Sequence, residues 1–476
     1  MRRAPSLAAL VAALALAGCA SFSGIEPQSR LSDPAAVTPA AAASTVPAVA
    51  PQWWKALGDP QLDTLVDQAL AGSPTLKVAQ ARLNRARAVL EVANAATLPQ
   101  VEGSVDVRRQ RYTETGAVPP PLAGSIRDSG TLQLGASWEI DFFGKYAQAL
   151  EAALGGARAS RAEVDAARVL LASQVARGYF QLARVNDQLQ VAQRSLAQRE
   201  EQLGLVRDRV RAGLDTTLEL RQSEGALPEA RQQIEALKEQ AELTRNALAA
   251  LVGRPDLRME PPSLAQAHPV TVPDTLPADL LARRADITAA RWRVEAATHD
   301  VAGAKAQFYP NVNLSAFIGL SSIGLSNLLD SGSLQWGVGP ALHLPIFDAG
   351  RLRANLRGKT ADLDLAVESY NGALLDAVRD AADQVASSRS IVRQQAEQKQ
   401  AQQAAESAYG IAVQRYRAGL GTYLNVLSAE TAVLNQRRLA VDLAGRALDT
   451  QVQLMRALGG GFTPDADTAR LAARNN

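Results

Sequence analysis

R-V-R-A-G-L-D-T-T-L-E-L, from Arg209 to Leu220, has a near copy, R-Y-R-A-G-L-G-T-Y-L-N-V, from Arg415 to Val426. Each copy sets Arg-x-Arg-Ala-Gly-Leu between two long helical patterns, and a glycine just past a helix tolerates the left-handed turn that ends it. Each therefore reads as the tip of a helical hairpin. The same offset, 206 residues, pairs Gly144 with Gly350, Thr216 with Thr422, Glu224 with Glu430, Arg231 with Arg437 and Gly253 with Gly459. Further upstream the offset is 211, pairing Arg82 with Arg293 and Pro99 with Pro310. The chain is a tandem duplication. The five additional residues of the first copy (211 − 206) lie between Pro99 and Gly144, and length variation of this kind belongs in an exposed loop.

Outward from the first tip, the span from Lys145 to Arg211 is 67 residues, about 100 Å of helix. Within it Val175, Leu182, Leu189, Leu196, Leu203 and Val210 recur at sevens, with Val185, Ala192 and Val206 at companion positions, the repeat of a coiled coil. Beyond Gly213 the return helix continues with Leu220, Leu227, Ile234, Ala241 and Leu248. It is shorter, and a helix from Pro74 to Thr97 is expected to stack on its end and make up the length. Pro228 is expected to kink it, since an interior proline removes a backbone hydrogen bond. In the second copy, 351–417 has a weaker heptad, with Gln395 and Gln402 where the first copy has leucine, so that face is expected to be wet. Its return helix keeps Val426, Val433, Ala440, Ala447 and Leu454.

At the other end the chain opens with Arg2, Arg3 and an apolar run from Leu7 to Ala17, too short to span a bilayer, which takes roughly 20 apolar residues. It closes in Leu16-Ala17-Gly18-Cys19, which resembles the bacterial lipobox. That resemblance implies a signal peptide, 1–18, and acyl chains on Cys19, and Ala20 at the next position implies sorting to the outer membrane. Cys19 is the only cysteine, so no internal disulfide forms. Loss of Arg2 and Arg3 takes the net charge from +2 to zero, which gives no reason to expect a nucleic-acid partner. Residues 19–51, rich in Ala, Pro, Ser and Thr, read as an anchor and extended tether. The first repeat is then 52–253, the second 254–459, and 460–476 a tail.

Between the helices the period changes to two. Val101, Gly103, Val105 and Val107 alternate with Glu102, Ser104, Asp106 and Arg108, as in a strand with one greasy and one wet face. After a loop over 115–128, Leu132, Leu134, Ala136, Trp138 and Ile140 resume the alternation, giving a hairpin over 100–141. The second copy repeats it over 311–346, although Phe317 interrupts the wet face. Alternation alone fits a half-buried sheet and a membrane barrel equally; the lipidated N-terminus favours the membrane. The strands are about as long as a tilted barrel strand, which needs roughly 9 to 11 residues. Phe142, Phe143, Phe308, Tyr309 and Phe347 sit near strand ends, as an interfacial girdle would. Four strands close no useful bore and leave open edges, which lipid does not tolerate. Strands from several chains are required.

Catalytic chemistry is missing from the pattern. Gly358-Lys359-Thr360 ends like a phosphate loop, but its first glycine would be at 353, which is Arg353. His268, His299 and His343 have no metal-ligand spacing, and the Arg283-Arg284 and Arg437-Arg438 pairs read as solvated faces. No enzyme, metal or cofactor is expected.

With these features the chain resembles the outer-membrane factor family, the TolC-like exit ducts, and within it the NodT-type lipoproteins of RND tripartite efflux systems. The likeness runs from Trp53 to Gly459. It rests also on Trp54-Lys55-x-x-Gly58-Asp59-Pro60-x-Leu62, Ser73-Pro74-Thr75-Leu76, Leu276-Pro277-Ala278-Asp279-Leu280-Leu281 and Ala285-Asp286-Ile287, where the family usually has Pro-Asp-Ile. The resemblance implies a mixed fold of α-helices and transmembrane β-strands. Three chains give four strands each to a 12-stranded barrel, continued by coiled-coil helices as a periplasmic α-barrel. It implies an outer-membrane lipoprotein extending into the periplasm, conducting small molecules passively from an inner-membrane RND-type transporter and a periplasmic adaptor. Gly213, Leu214, Gly419 and Leu420 would receive the adaptor. The periplasmic gate would lie near the second tip, at Leu424, Asn425, Leu427 and Ser428. Some members carry aspartates at the positions of Asn425 and Ser428; here the first copy offers Asp215 and Glu219, and an acidic ring would be three-fold in Asp215. The competing reading is a periplasmic coiled-coil scaffold or adaptor lipoprotein without a pore, which would need a lipoyl-like or all-β domain beside one hairpin.

Overall fold

A computed structural model of the chain describes residues 21–33, 49–267 and 284–463; Cys19, His268, Arg283 and the Leu276–Leu281 stretch fall outside them. The helices are α1 (Pro60–Gly72), α2 (Pro74–Ala95), α3 (Lys145–Arg211), α4 (Thr217–Val252), α5 (Ala285–Ala306), α6 (Arg351–Arg417) and α7 (Tyr423–Ala457). The strands are β1 (Gln100–Arg111), β2 (Ile126–Ile140), β3 (Asn311–Ile323) and β4 (Leu334–His343). Helices α3 and α6 are both 67 residues long and α2 and α5 both 22, while the return helices α4 and α7 have 36 and 35, so the duplication is preserved closely in the helices. α4 runs unbroken through Pro228. The chain forms two compact units.

One unit holds the sheet, with described residues 21–31, 82–160 and 290–370. Its strands lie in the order β1-β2-β3-β4, each antiparallel to the next. The register sets Val101, Ala136, Ala316 and Val338 abreast, then Gly103, Leu134, Ile318 and Trp336, then Val105, Leu132, Leu320 and Leu334. Residues directly opposite share a face, so the four alternations merge into one apolar surface. That surface is bare: Val101 is 72% and Trp336 70% exposed. The opposite face carries Ser104, Gln133, Gly319 and Gln335 in one row. Phe317 is accommodated there because Gly135 and Gly337 flank it; a Cβ at Gly337 would fall 2.6 Å from its ring. β2 begins six residues before the alternation at Leu132, since Ile126 already pairs with Arg111. Phe143 and Tyr309 stack with centroids 4.7 Å apart.

Part of the expected tether is docked in this unit. Arg353 donates to the Ser21 and Ser23 carbonyls, and the Gln28 and Ser29 amides both donate to Asp364 Oδ1 at 2.9 Å. Phe22 packs edge-on against Phe308, centroids 5.6 Å apart. In the other unit the Ser32 amide continues the contact with Asn371 Oδ1, at 2.9 Å.

That second unit has its core where Trp53, Trp54 and Leu57 meet Leu62, Leu65 and Val66 of α1, Val175, Tyr179 and Phe180 of α3, Leu248 and Val252 of α4, and Leu448 and Val452 of α7. Asp59 caps α1 through the Gln61 and Leu62 amides and also accepts the Tyr179 hydroxyl. Burial, and then the Asp59 charge, pushes that hydroxyl far above the ordinary tyrosine value. α4 and α2 meet end to end, as their lengths require: a Cβ at Gly253 would lie 3.6 Å from the Gly72 carbonyl oxygen and 3.9 Å from Pro74. At the matching place in the second copy, Arg284 reaches the Ala457 carbonyl at 3.4 Å. Arg284 is thus no solvated face. It is buried, and its two-pronged bond to Asp286 at 3.1 and 2.7 Å neutralises it. Burial would raise the Asp286 carboxyl, but Arg284 holds it below the usual range.

Candidate functional site

The two hairpin tips are built alike. After α3, the Gly213 amide bonds the Val210 carbonyl and the Leu214 amide the Arg209 carbonyl; after α6, Gly419 bonds Tyr416 and Leu420 bonds Arg415. Gly213 and Gly419 have φ of +72° and +76°, the left-handed conformation that disfavours a Cβ. The sharp turn leaves Leu214 and Leu420 exposed, with no apolar partner covering them.

The helices leaving the tips start differently. Thr216 and Glu219 form a reciprocal cap on α4, with the Thr216 amide on Glu219 Oε2 at 2.9 Å and the Leu218 amide on the Thr216 hydroxyl at 3.2 Å. On α7 the position equivalent to Glu219 is Asn425, and Thr422 makes no side-chain cap. Tyr423, Val426 and Glu430 face inward, whereas Leu424, Asn425 and Ser428 face outward and Leu427 is half-buried.

Inside the first hairpin, α3 and α4 close on an apolar seam of Leu182, Val185 and Ala192 against Ile234, Leu237 and Ala241. The second hairpin has a polar seam instead: Gln398 donates to Gln402, Gln402 to Glu406, and Arg437 of α7 to Glu406 at 3.0 Å. Of the glutamines that break the heptad, Gln402 is therefore hydrogen-bonded on both sides, from Gln398 and to Glu406.

Across the hairpins, Val206 of α3 packs with Tyr416, Tyr423 and Val426 of the second hairpin. Asp215 is almost buried beside them. Arg209 holds it by two bonds, at 2.9 and 3.2 Å, and the Tyr416 hydroxyl donates to the same carboxylate. The Arg209 guanidinium lies 4.6 Å above the Tyr416 ring, within cation–π reach. Burial would raise the Asp215 carboxyl, but the bonds from Arg209 and Tyr416 outweigh it and hold the group below its ordinary 3.8. Burial and that carboxylate push the Tyr416 hydroxyl well up.

Asp215 and Glu219 are thus both engaged within the chain, the first with Arg209 and Tyr416, the second with Thr216. Tyr416, Tyr423 and Arg209 are the residues that sequence reasoning passed over. Their signal lay in the differences between the two tips: Val210 against Tyr416, Thr217 against Tyr423 and Asp215 against Gly421. Each departure from the repeat supplies one side of the contact between hairpins. Among the described residues no cluster of His, Cys, Asp or Glu is arranged for a metal, and no helix is long and apolar enough to cross a membrane.

Known proteins are similar to this chain in sequence and in fold. The family described as outer membrane efflux protein matches residues 65–254 and again 276–460. The multidrug resistance outer membrane protein MdtQ of Escherichia coli O157:H7 is 33% identical over 481 residues, covering 96% of this chain and 98% of that protein. The fusaric acid resistance protein FusA of Burkholderia cepacia is 37% identical, over 75% of this chain and 69% of its own length. Among solved structures, the outer membrane protein VceC of Vibrio cholerae superposes with a TM-score of 0.82 at 38% identity, covering 87% of this chain and all of that one. The open state of the Neisseria gonorrhoeae MtrE outer membrane channel gives 0.79 at 27% identity, covering 92% and 99%. The chain belongs to the outer membrane efflux protein family, and its place is the outer membrane as an exit duct for efflux.

Proposed function

We propose that three copies of the chain, each held to the membrane by acyl chains on Cys19, form the outer-membrane end of a tripartite pump, closed at rest by the second hairpin. The observation that carries this is the sheet. One whole face is apolar and bare, and β1 and β4 each pair on one side only among the described residues, a state that lipid permits only if other chains complete the barrel. Leu214 and Leu420, exposed beside the two glycines, offer an adaptor matched apolar contacts, and an inner-membrane RND-type transporter supplies the energy.

The gate is the outward face of α7 at its start, with Leu424, Asn425 and Ser428 on the face and Leu427 at its edge; Asp215 and Glu219 serve it as latch and cap. Tyr416 holds the second hairpin shut through Asp215. When Tyr416 leaves, Asp215 keeps its two bonds to Arg209, so release strands no charge. The polar seam between α6 and α7 also supports motion of this hairpin, because hydrogen-bonded glutamines exchange partners with water more readily than packed leucines do.

The test is conductance of the acylated protein in planar bilayers together with its mass in detergent. Trimers forming discrete channels are expected, with conductance raised by Asn425→Ala and Ser428→Gly. A monomer without channels would overturn the duct, and unchanged conductance in both variants would overturn this position for the gate.

A further inference from the structure

Several polar links join the hairpins near the tips, and two of them differ in what separation leaves behind. The lower is Tyr416 on Asp215. Its two charges, Arg209 and Asp215, belong to the same hairpin and stay paired when Tyr416 departs. The upper link divides its charges. Arg199 of α3 donates through Nε to Glu430 Oε1 of α7 at 3.0 Å and through Nη1 to the Ala226 carbonyl of α4 at 2.9 Å. Their side chains are only 14% and 3% exposed, and Glu430 Oε2 has no donor at all. Gln202 of α3 reaches the Tyr409 hydroxyl of α6 in the same region. Parting the hairpins here would pull apart two opposite, nearly buried charges, Glu430 having no other ionic partner among the described residues, whereas parting at Tyr416 breaks one hydrogen bond and separates no ion pair.

From this asymmetry we infer that the Arg199–Glu430 pair is the pivot of the gate. The second hairpin swings below it and stays fixed above it. The moving part of α7 is then the segment from Tyr423 to Glu430, about 12 Å of helix. Val426, just below the pair on α7, and Val433, just above it, are both buried. In the open state Val426 is uncovered and Val433 is not. The inference rests on the reading of the second hairpin as the moving part.

The test uses thiol reactivity of the full-length acylated trimer in detergent, with a maleimide reagent; the parent chain, whose only cysteine is Cys19, gives the background. Val426→Cys and Val433→Cys are each placed alone and together with Tyr416→Phe. Tyr416→Phe is expected to speed labelling at position 426 about tenfold or more and to leave position 433 within about twofold. Adding Glu430→Gln should then expose position 433 as well. Should Glu430→Gln fail to assemble, Arg199→Met with Glu430→Met removes the ionic tie while keeping its packing. The pivot is overturned if Tyr416→Phe exposes both positions alike, or if loss of the pair leaves position 433 protected. If Tyr416→Phe exposes neither position and conductance stays at the parent level, the reading of a moving second hairpin falls, and the pivot with it.

Discussion

Asp215 shows how one side chain changes meaning with its neighbours. As a lone acid at a tip it suggests a ring for cations, but it is held by Arg209 and Tyr416, and the proposed gate uses it as a latch. Tyr416→Phe removes a hydroxyl bond to a carboxylate, worth about 1.5 kcal/mol, and is expected to raise the open-to-closed ratio roughly tenfold, read as open probability in bilayers. The pH dependence follows from the depressed Asp215 carboxyl. Its charged form, and the latch with it, is present above the ordinary carboxylate value and is lost only as pH falls through the lower folded value. The latch should therefore be insensitive to pH from about 8 down to about 5. A parent channel that opens within that window would show that another group holds the gate.

Among the elements, the segment 21–33 departs furthest from its expected behaviour. Its composition reads as a loose tether, yet Asp364 and Asn371 take up its amides and Arg353 its carbonyls. Replacing both acceptors, Asp364→Ala with Asn371→Ala, is expected to leave acylation intact and to speed trypsin cleavage after Arg30 several-fold, measured by mass spectrometry of the digest. Equal cleavage in parent and variant would show that the segment is held by its apolar contacts alone. The extended strap was legible in the sequence as extended; its docking was not, because its bonds run from backbone amides to side chains more than 330 positions away.

For the whole molecule, the sheet carries the membrane assignment. Leu134 and Gln133 are neighbours in β2 on opposite faces. Leu134→Arg puts a charge on the lipid face, at about 2–4 kcal/mol if it lies near the bilayer midplane. It should reduce the heat-resistant oligomer recovered from outer membranes, whereas Gln133→Arg, on the wet face, should be tolerated. Equal losses in both variants would mean that the apolar face is buried by protein rather than lipid.

Periodicity alone located the long helices and the alternating part of each strand, though not α1 or the start of β2. A heptad sustained from Val175 to Val210 or a strict alternation leaves the backbone one way to bury its apolar side chains, and the second repeat supports the same assignment. The apolar face, the tips and the end-to-end helices follow from those local patterns. What only the tertiary structure decided are the long-range contacts: Tyr416 with Asp215 and Glu430 with Arg199 between the copies, and Arg284 with Ala457 within the second. Each joins residues more than 170 positions apart, and no local period encodes which side chain of one packed helix meets which of another. Arg284 reads as solvent-facing, and Glu430 only as the repeat equivalent of Glu224. Packing two unequal hairpins against each other buries Glu430 and leaves Glu224 half-exposed, and on that inequality the proposed latch and pivot rest.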